Sequence, residues 1–249
     1  MSGDRLMLLP DGSDALLDAV RAVLATPGMP DVALVGGLAV TLHVAAAGNA
    51  HRATADIDLV TASATSPPEA VELLATAHDS PSHPLVIAGV KVDLIPTHPF
   101  ANTRRDPLTD AEVLFAISHR WAFDTAVPTQ LTTRDSDAVT IPVATPAGVL
   151  AAKCHAIGYP TSMRRATKHS ADLLDMFRIV DLYDRDGSLA VEIAGGPPDL
   201  AGLIATVADA EILANPALAA HAMALASLAP IAADAVVDAI EPFVAGLRS

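Results

Sequence analysis

Thr54-Ala55-Asp56-Ile57-Asp58-Leu59-Val60-Thr61 is the stretch on which the reading of this chain turns. Ile57, Leu59 and Val60 favour a strand over 56–61. Side chains alternate along a strand, so Asp56 and Asp58 aim the same way while Ile57 points into the core. Two carboxylates held side by side repel each other. The arrangement is costly unless a cation sits between them, and the usual occupant is a hard divalent ion with oxygen ligands, Mg²⁺ or alternatively Mn²⁺. The competing reading is a polar strand end that faces water, and the pair alone leaves both open.

Moving outward, the apolar run Val32 to Val35 closes on Gly36-Gly37 and continues into the small apolar segment Leu38 to Ala47, which reads as strand, turn and helix. An earlier helix starts after Gly12-Ser13-Asp14, carries Leu16, Leu17, Val20, Val23 and Leu24 on one face, and ends near Pro27. Downstream, a helix is expected around Pro68 to His78, then two hairpin strands, Leu85 to Ala88 and Lys91 to Ile95, flanking Gly89. Asp93 alternates with Val92 and Leu94, so its carboxylate leaves the apolar face and can join Asp56 and Asp58 from a neighbouring strand. Backbone amides at Gly36-Gly37, with the positive end of the helix behind them, can hold a triphosphate. A phosphate cradle would then lie beside a metal cage, as phosphoryl chemistry requires.

The second half of the chain is less regular. Thr109 and Glu112 have capping-box spacing ahead of a segment through Trp121 that reads equally as helix or strand. Ala138 to Val143 reads as a strand. From the N-cap Thr145 and Pro146 the chain is expected to be helical to about Tyr183, with a break near Gly158 to Pro160. Gly187 and the cluster Gly195-Gly196-Pro197-Pro198 punctuate an alanine-rich helical tail. A composition shift near residue 105 divides the chain into an α/β region, 1–105, and a mainly helical region, 106–249.

Composition narrows the function classes. The 249 residues carry 15 Lys plus Arg against 29 Asp plus Glu, a formal charge of −14, which excludes generic charge-driven adhesion to nucleic acid or anionic lipid. Any nucleic-acid contact must be local. The single cysteine, Cys154, excludes an internal disulfide and reads as a small buried apolar residue; the histidines show no zinc-protease spacing. Mean hydropathy is +0.41. However, the uncharged stretches Val32 to Ala50 and Ile212 to Ala233 are broken by Gly, Asn, His and Pro, and Met1 to Pro10 lacks a secretory pattern, so a cytoplasmic location away from membranes is expected.

Lys153 interrupts the apolar stripe of Val149, Leu150, Cys154 and Ile157. A triphosphate is one partner for it. The alternative is a snorkelling side chain with its amine in water. Asp172 and Asp175 share a helix face at i and i+3, and as first-turn acids they suit the helix dipole. By alternation Thr54 points with the carboxylates, either positioning metal or triphosphate or serving as an ordinary strand residue. Arg52, Arg104-Arg105, Arg120 and Arg164-Arg165 with Lys168 are the basic groups from which an RNA acceptor would have to draw its contacts.

Val35-Gly36-Gly37, His51-Arg52-Ala53-Thr54-Ala55-Asp56-Ile57-Asp58 and Val92-Asp93 together resemble the nucleotidyltransferase fold of the AbiEii and MenT toxins. In those toxins a later lysine and an Asp-x-x-Asp complete the site, and here Lys153 and Asp172-Leu173-Leu174-Asp175 fall in that order. The motifs span roughly residues 30 to 100 and 145 to 180. The wider polymerase-β-like superfamily usually has Gly-Ser and a shorter gap to its carboxylates, whereas this chain has Gly-Gly and a longer gap.

The resemblance implies a mixed sheet with flanking helices, followed by a helical domain that completes the cleft. It implies Mg²⁺ on Asp56, Asp58 and Asp93, with catalytic support from Lys153 and Asp172. A nucleoside triphosphate would be gripped by Gly36, Gly37, Arg52, Thr54 and Lys153. The acceptor implied is RNA, the 3′ end of tRNA first, with an antitoxin as partner in a toxin–antitoxin system. Transfer to a small molecule such as an aminoglycoside, or a nucleotide-binding module without turnover, are the alternatives.

Overall fold

The computed structural model describes residues 5–61, 67–97, 107–134, 136–158, 166–227 and 229–249. The first half runs β1 (Arg5–Leu8), α1 (Asp14–Ala25), β2 (Val32–Val35), α2 (Gly36–Ala46), β3 (Asp56–Thr61), α3 (Pro67–Ala77), β4 (Val86–Ile87) and β5 (Val90–Pro96). It continues with α4 (Asp110–Asp124), β6 (Val127–Thr132), β7 (Val139–Val143), α5 (Pro146–Gly158) and α6 (Ala166–Tyr183), then α7 (Ser188–Ala194), α8 (Leu200–Ala208), α9 (Pro216–Ala226) and α10 (Ala233–Leu247). A π-helical turn, Asp209–Leu213, follows α8.

One mixed seven-stranded sheet has the order β1-β6-β7-β2-β3-β5-β4. β2 and β3 are antiparallel and β3 and β5 parallel; β7 runs parallel to β2, and β6 antiparallel to β7. The sheet therefore takes strands from both sides of residue 105, and helices make up the remainder. The expected strands at β2, β3, β5 and β7 and the hairpin to β4 are all present. Two strands were not anticipated. β1 has no β-branched residue, and β6 contains Pro128. Pro128 pairs with Pro142 of β7, and Thr129 to Thr132 pair with Arg5 to Leu8 of β1.

α4 resolves the ambiguous segment as a helix. Glu112 N donates to the Thr109 hydroxyl and Thr109 N donates to the Glu112 carboxylate, a complete capping box. Ile57, Leu59 and Val60 are fully buried, so β3 is apolar on both faces past its first turn of alternation, as expected of a central strand covered on both sides. α2 packs on β1, β2 and β3 and also on α5 and α6, which brings the later helices over the Gly36-Gly37 turn. Among the described residues no single helix is long and apolar enough to cross a membrane. Leu200–Leu213 with Pro216–Ala226 reaches that length only as a pair bent by 88°, where Asn215 caps α9 by accepting from Leu218 N and Pro216 occupies its start.

Candidate active site

The parallel register of β3 and β5 sets Asp58 opposite Asp93 and Asp56 opposite Lys91. Paired residues of neighbouring strands point to the same face, so all three aspartates share one side of the sheet while Ile57 and Val92 are buried on the other. Burial raises the pKa of Asp58, and the charges of Asp56 and Asp93 push it the same way, against the opposing pull of Lys153 and Lys168. Asp56 accepts a hydrogen bond from the Thr54 hydroxyl, Oγ1 to Oδ1 at 3.1 Å. Asp93 is bridged to Lys91 on its own strand.

Gly36 and Gly37 play different parts. Gly36, the first residue of α2, has φ of +68°, and a Cβ there would stand 1.9 Å from Asp58 Oδ2 and 2.6 Å from Asp58 Cβ. The missing side chain is what allows the Asp58 carboxylate to lie against the turn. Gly37 instead lines a cavity of about 250 Å³ whose wall also includes Arg52, Thr54, Asp56, Asp58, Lys153, Thr167, Lys168, Ala171 and Asp172. A Cβ on Gly37 would meet Thr54 Oγ1 at 3.1 Å and Arg52 Nη2 at 3.3 Å.

Lys153 does not snorkel. Its Nζ donates to Asp172 Oδ1 at 2.8 Å and lies 2.7 Å from Asp175 Oδ2, with only 9% of the side chain exposed. Burial alone would lower its pKa, but the Asp175 and Asp172 carboxylates overcome that and hold it above the ordinary lysine value. Asp175 is a fully buried hub. It accepts Arg52 Nε at 3.1 Å and Arg52 Nη2 at 2.7 Å as a bidentate pair, and it lies 2.9 Å from His51 Nε2. Burial pushes the Asp175 pKa up, but Lys153, His51 and Arg52 outweigh it and bring it well below the carboxylate range.

Asp172 and Asp175 are also not first-turn acids, because α6 begins at Ala166, more than a helical turn earlier. The spacing at i and i+3 was visible in the sequence. Their burial was not, since it depends on α5 delivering Lys153 to the same place. His51, which opens the motif through Asp58 but had no role assigned from the sequence, and Thr167 also belong to the candidate site. Arg104, Arg105, Arg164 and Arg165 lie outside the described residues. Arg120 is engaged with Asp124 on α4, and Cys154 is fully buried, with its thiol pushed up by desolvation.

A family profile described as nucleotidyl transferase AbiEii toxin of a type IV toxin–antitoxin system matches residues 18–195. The chain belongs to the AbiEii family. It is a nucleotidyltransferase, and membership implies a nucleoside triphosphate substrate and an antitoxin partner. No curated protein sequence matches it.

The AbiEii carboxylates fit a divalent ion by their chemistry. Asp58 is a partly exposed acid whose ionisation is opposed by desolvation and by two neighbouring acids, and a cation removes that opposition. Among the described residues no three His, Cys, Asp or Glu side chains form a ready metal cage.

Proposed function

We propose that this AbiEii-family enzyme transfers a nucleoside monophosphate from a nucleoside triphosphate to a hydroxyl of RNA, first the 3′ end of tRNA, in a Mg²⁺- or Mn²⁺-dependent reaction in the cytoplasm. The observation that carries the reading is Asp58. Its disfavoured carboxylate sits beside Asp56 at one wall of a cavity whose other groups include Arg52, Lys153 and Lys168. The lining sets these three cations against three carboxylates, Asp56, Asp58 and Asp172. The resting lining is close to charge balance, so a divalent ion is needed to offset the charge that a triphosphate brings.

Asp56 and Asp58 would hold the ion, with Asp93 available once it leaves Lys91. When bound, the ion would draw electron density from the phosphates and offset their charge. The residues of the chain do the rest. Gly37 and Thr54 bound the cavity that takes the phosphates, and Lys168 supplies an exposed cation at its mouth. Lys153, held by Asp172 and Asp175, presents its amine at the wall without needing to be ordered on binding. Asp93 would accept the proton of the attacking hydroxyl or orient it. The mainly helical region, 106–249, completes the cleft through α5 and α6. The acceptor oxygen attacks the α-phosphorus in line, the bond to the bridging oxygen breaks, and pyrophosphate leaves.

The test is incubation with each triphosphate labelled at the α-phosphate, with Mg²⁺ and either total tRNA or a panel of aminoglycosides. Label in tRNA that disappears on chelation is the expected result. Label in the drug would replace the RNA acceptor, and label in neither would remove the reading.

A further inference from the structure

Arg52 stands at the wall of two cavities. One is the carboxylate-lined site above. The second, about 240 Å³, is lined by Asn49, Ala50, His51 and Arg52 from the α2–β3 loop, Leu174 and Arg178 from α6, and Ser227 and Ala229 from the connection between α9 and α10. Its composition is unusual for this chain. Acids outnumber basic residues 29 to 15 overall, yet this lining holds two arginines and a histidine and no carboxylate.

The two arginines are in different states. Arg52 gives Nε and one Nη2 donor to Asp175, which fixes its plane and leaves further N–H groups available. Arg178, half-buried one turn after Asp175, rests its guanidinium 6.0 Å from the Phe177 ring centroid. No acidic side chain among the described residues pairs with it. A fixed guanidinium and an unpaired one on a concave, acid-free wall match the oxygens of a phosphodiester.

We propose that this second cavity binds a backbone phosphate of the acceptor strand, with Arg178 as its principal contact; the inference rests on the RNA-acceptor reading above. A 3′ hydroxyl placed against the α-phosphate in the first cavity must be followed by its own chain, and the shared Arg52 makes the second cavity the adjoining surface. A protein of net charge −14 repels a polyanion at long range, so binding must come from such local positive points. The cavity also assigns a role to the tail. Ser227 and Ala229 lie beyond residues 18–195, so a wall of the acceptor site comes from outside the segment matched to the family.

The test measures binding of total tRNA to the full-length protein across a salt series, with binding of a non-hydrolysable triphosphate and Mg²⁺ measured in parallel. Arg178→Ala should weaken tRNA binding roughly tenfold and reduce the slope of log affinity against log salt by about 0.7, the share of one single-strand phosphate. Triphosphate affinity should be unchanged. Arg178→Lys should restore the salt slope but only part of the affinity, and Ser227→Glu, which puts a carboxylate into the opposite wall, should reproduce the loss in a side chain outside α6. Wild-type tRNA affinity and salt slope in folded Arg178→Ala or Ser227→Glu protein would overturn the inference, as would an equal loss of triphosphate binding. If the wild-type protein binds no tRNA, the RNA-acceptor reading itself fails, and that result is distinguishable from a wild-type protein that binds tRNA without using Arg178.

Discussion

Substituting Gly36 by alanine tests the geometry of the site through one methyl group. The φ of +68° is a left-handed conformation, which costs a residue bearing a Cβ about 1–2 kcal/mol. The new Cβ would also stand 1.9 Å from Asp58 Oδ2, 2.5 Å from Cγ and 2.6 Å from Cβ, where ordinary contacts need about 3.5 Å. The contact with Asp58 Cβ cannot be relieved by a rotamer change alone, so either β3 or the start of α2 must move by about 1 Å. Overpacking of this kind adds roughly 1–3 kcal/mol, for a total of about 2–5 kcal/mol.

The same displacement shifts the Asp58 carboxylate, and an error of about 1 Å in a reacting array costs on the order of 100-fold in rate. Gly37→Ala is the control. Its Cβ would press on Thr54 Oγ1 at 3.1 Å and Arg52 Nη2 at 3.3 Å and make an ordinary contact with Thr54 Cβ at 3.6 Å, and stability should change by less than about 1 kcal/mol, because helix propensity favours alanine. Urea unfolding of Gly36→Ala, Asp58→Gly and the double variant then isolates the clash. Asp58→Gly removes the colliding atoms but not the φ penalty, so the double variant should be more stable than the sum of the singles by roughly 1–3 kcal/mol. Strict additivity, or equal stability of Gly36→Ala and Gly37→Ala, would refute the claim that Gly36 exists to admit Asp58.

Asp58→Asn removes an acid whose charged form burial and two neighbours oppose; the metal-free protein should gain thermal stability while transfer is lost, and Mg²⁺ with triphosphate should no longer raise its Tm. A fall in Tm would contradict this electrostatic account. Asp175→Asn leaves Lys153 and Arg52 with too little buried negative charge and should cost about 3–5 kcal/mol in chemical denaturation. Combining it with Lys153→Met should cost less than the two losses added, and additivity would show that the pair is uncoupled. His43 and His119 are buried with pKa lowered to about 4, chiefly by desolvation, so between pH 6.5 and 4 the unfolded chain binds more protons than the native one. Stability should fall on acidification by up to about 1.4 kcal/mol per pH unit for each histidine, and the depressed Asp175 adds a loss in the same direction only at lower pH. His119→Leu should flatten the denaturation midpoint between pH 6.5 and 5, and an unchanged slope would place the titration elsewhere.

How far the site could be read from the sequence depended on the range over which each feature is determined. Asp56, Ile57 and Asp58 were legible because a strand's period of two is local, and Thr109 with Glu112 specified its own cap within four residues. Asp93 could be assigned to a face but not to a partner, because the register that sets it opposite Asp58 is fixed by the packing of two strands separated by α3 and β4. Gly36-Gly37 was legible as a turn into a helix. That the first glycine serves the carboxylate and the second the cavity was not, since the distinction lies in a φ angle and a distance to β3.

Lys153 and Asp172-x-x-Asp175 show the limit most clearly. Taken one at a time, a lysine in an apolar stripe suggests a triphosphate partner or a snorkelling side chain, and two acids at i and i+3 suggest a helix dipole. Each explanation fails because the other is present: the lysine can be buried only if the two carboxylates receive its charge, and Asp175 can be buried only if Lys153, Arg52 and His51 all converge on it. A buried network of this kind has no local signature, since every member is unfavourable alone and is stabilised only by contacts 19 to 124 residues away in the chain. The same interdependence gives the network its functional value. By tying the α2–β3 loop to α5 and α6, Asp175 fixes Arg52 between the two cavities, so the wall they share is set by the fold itself.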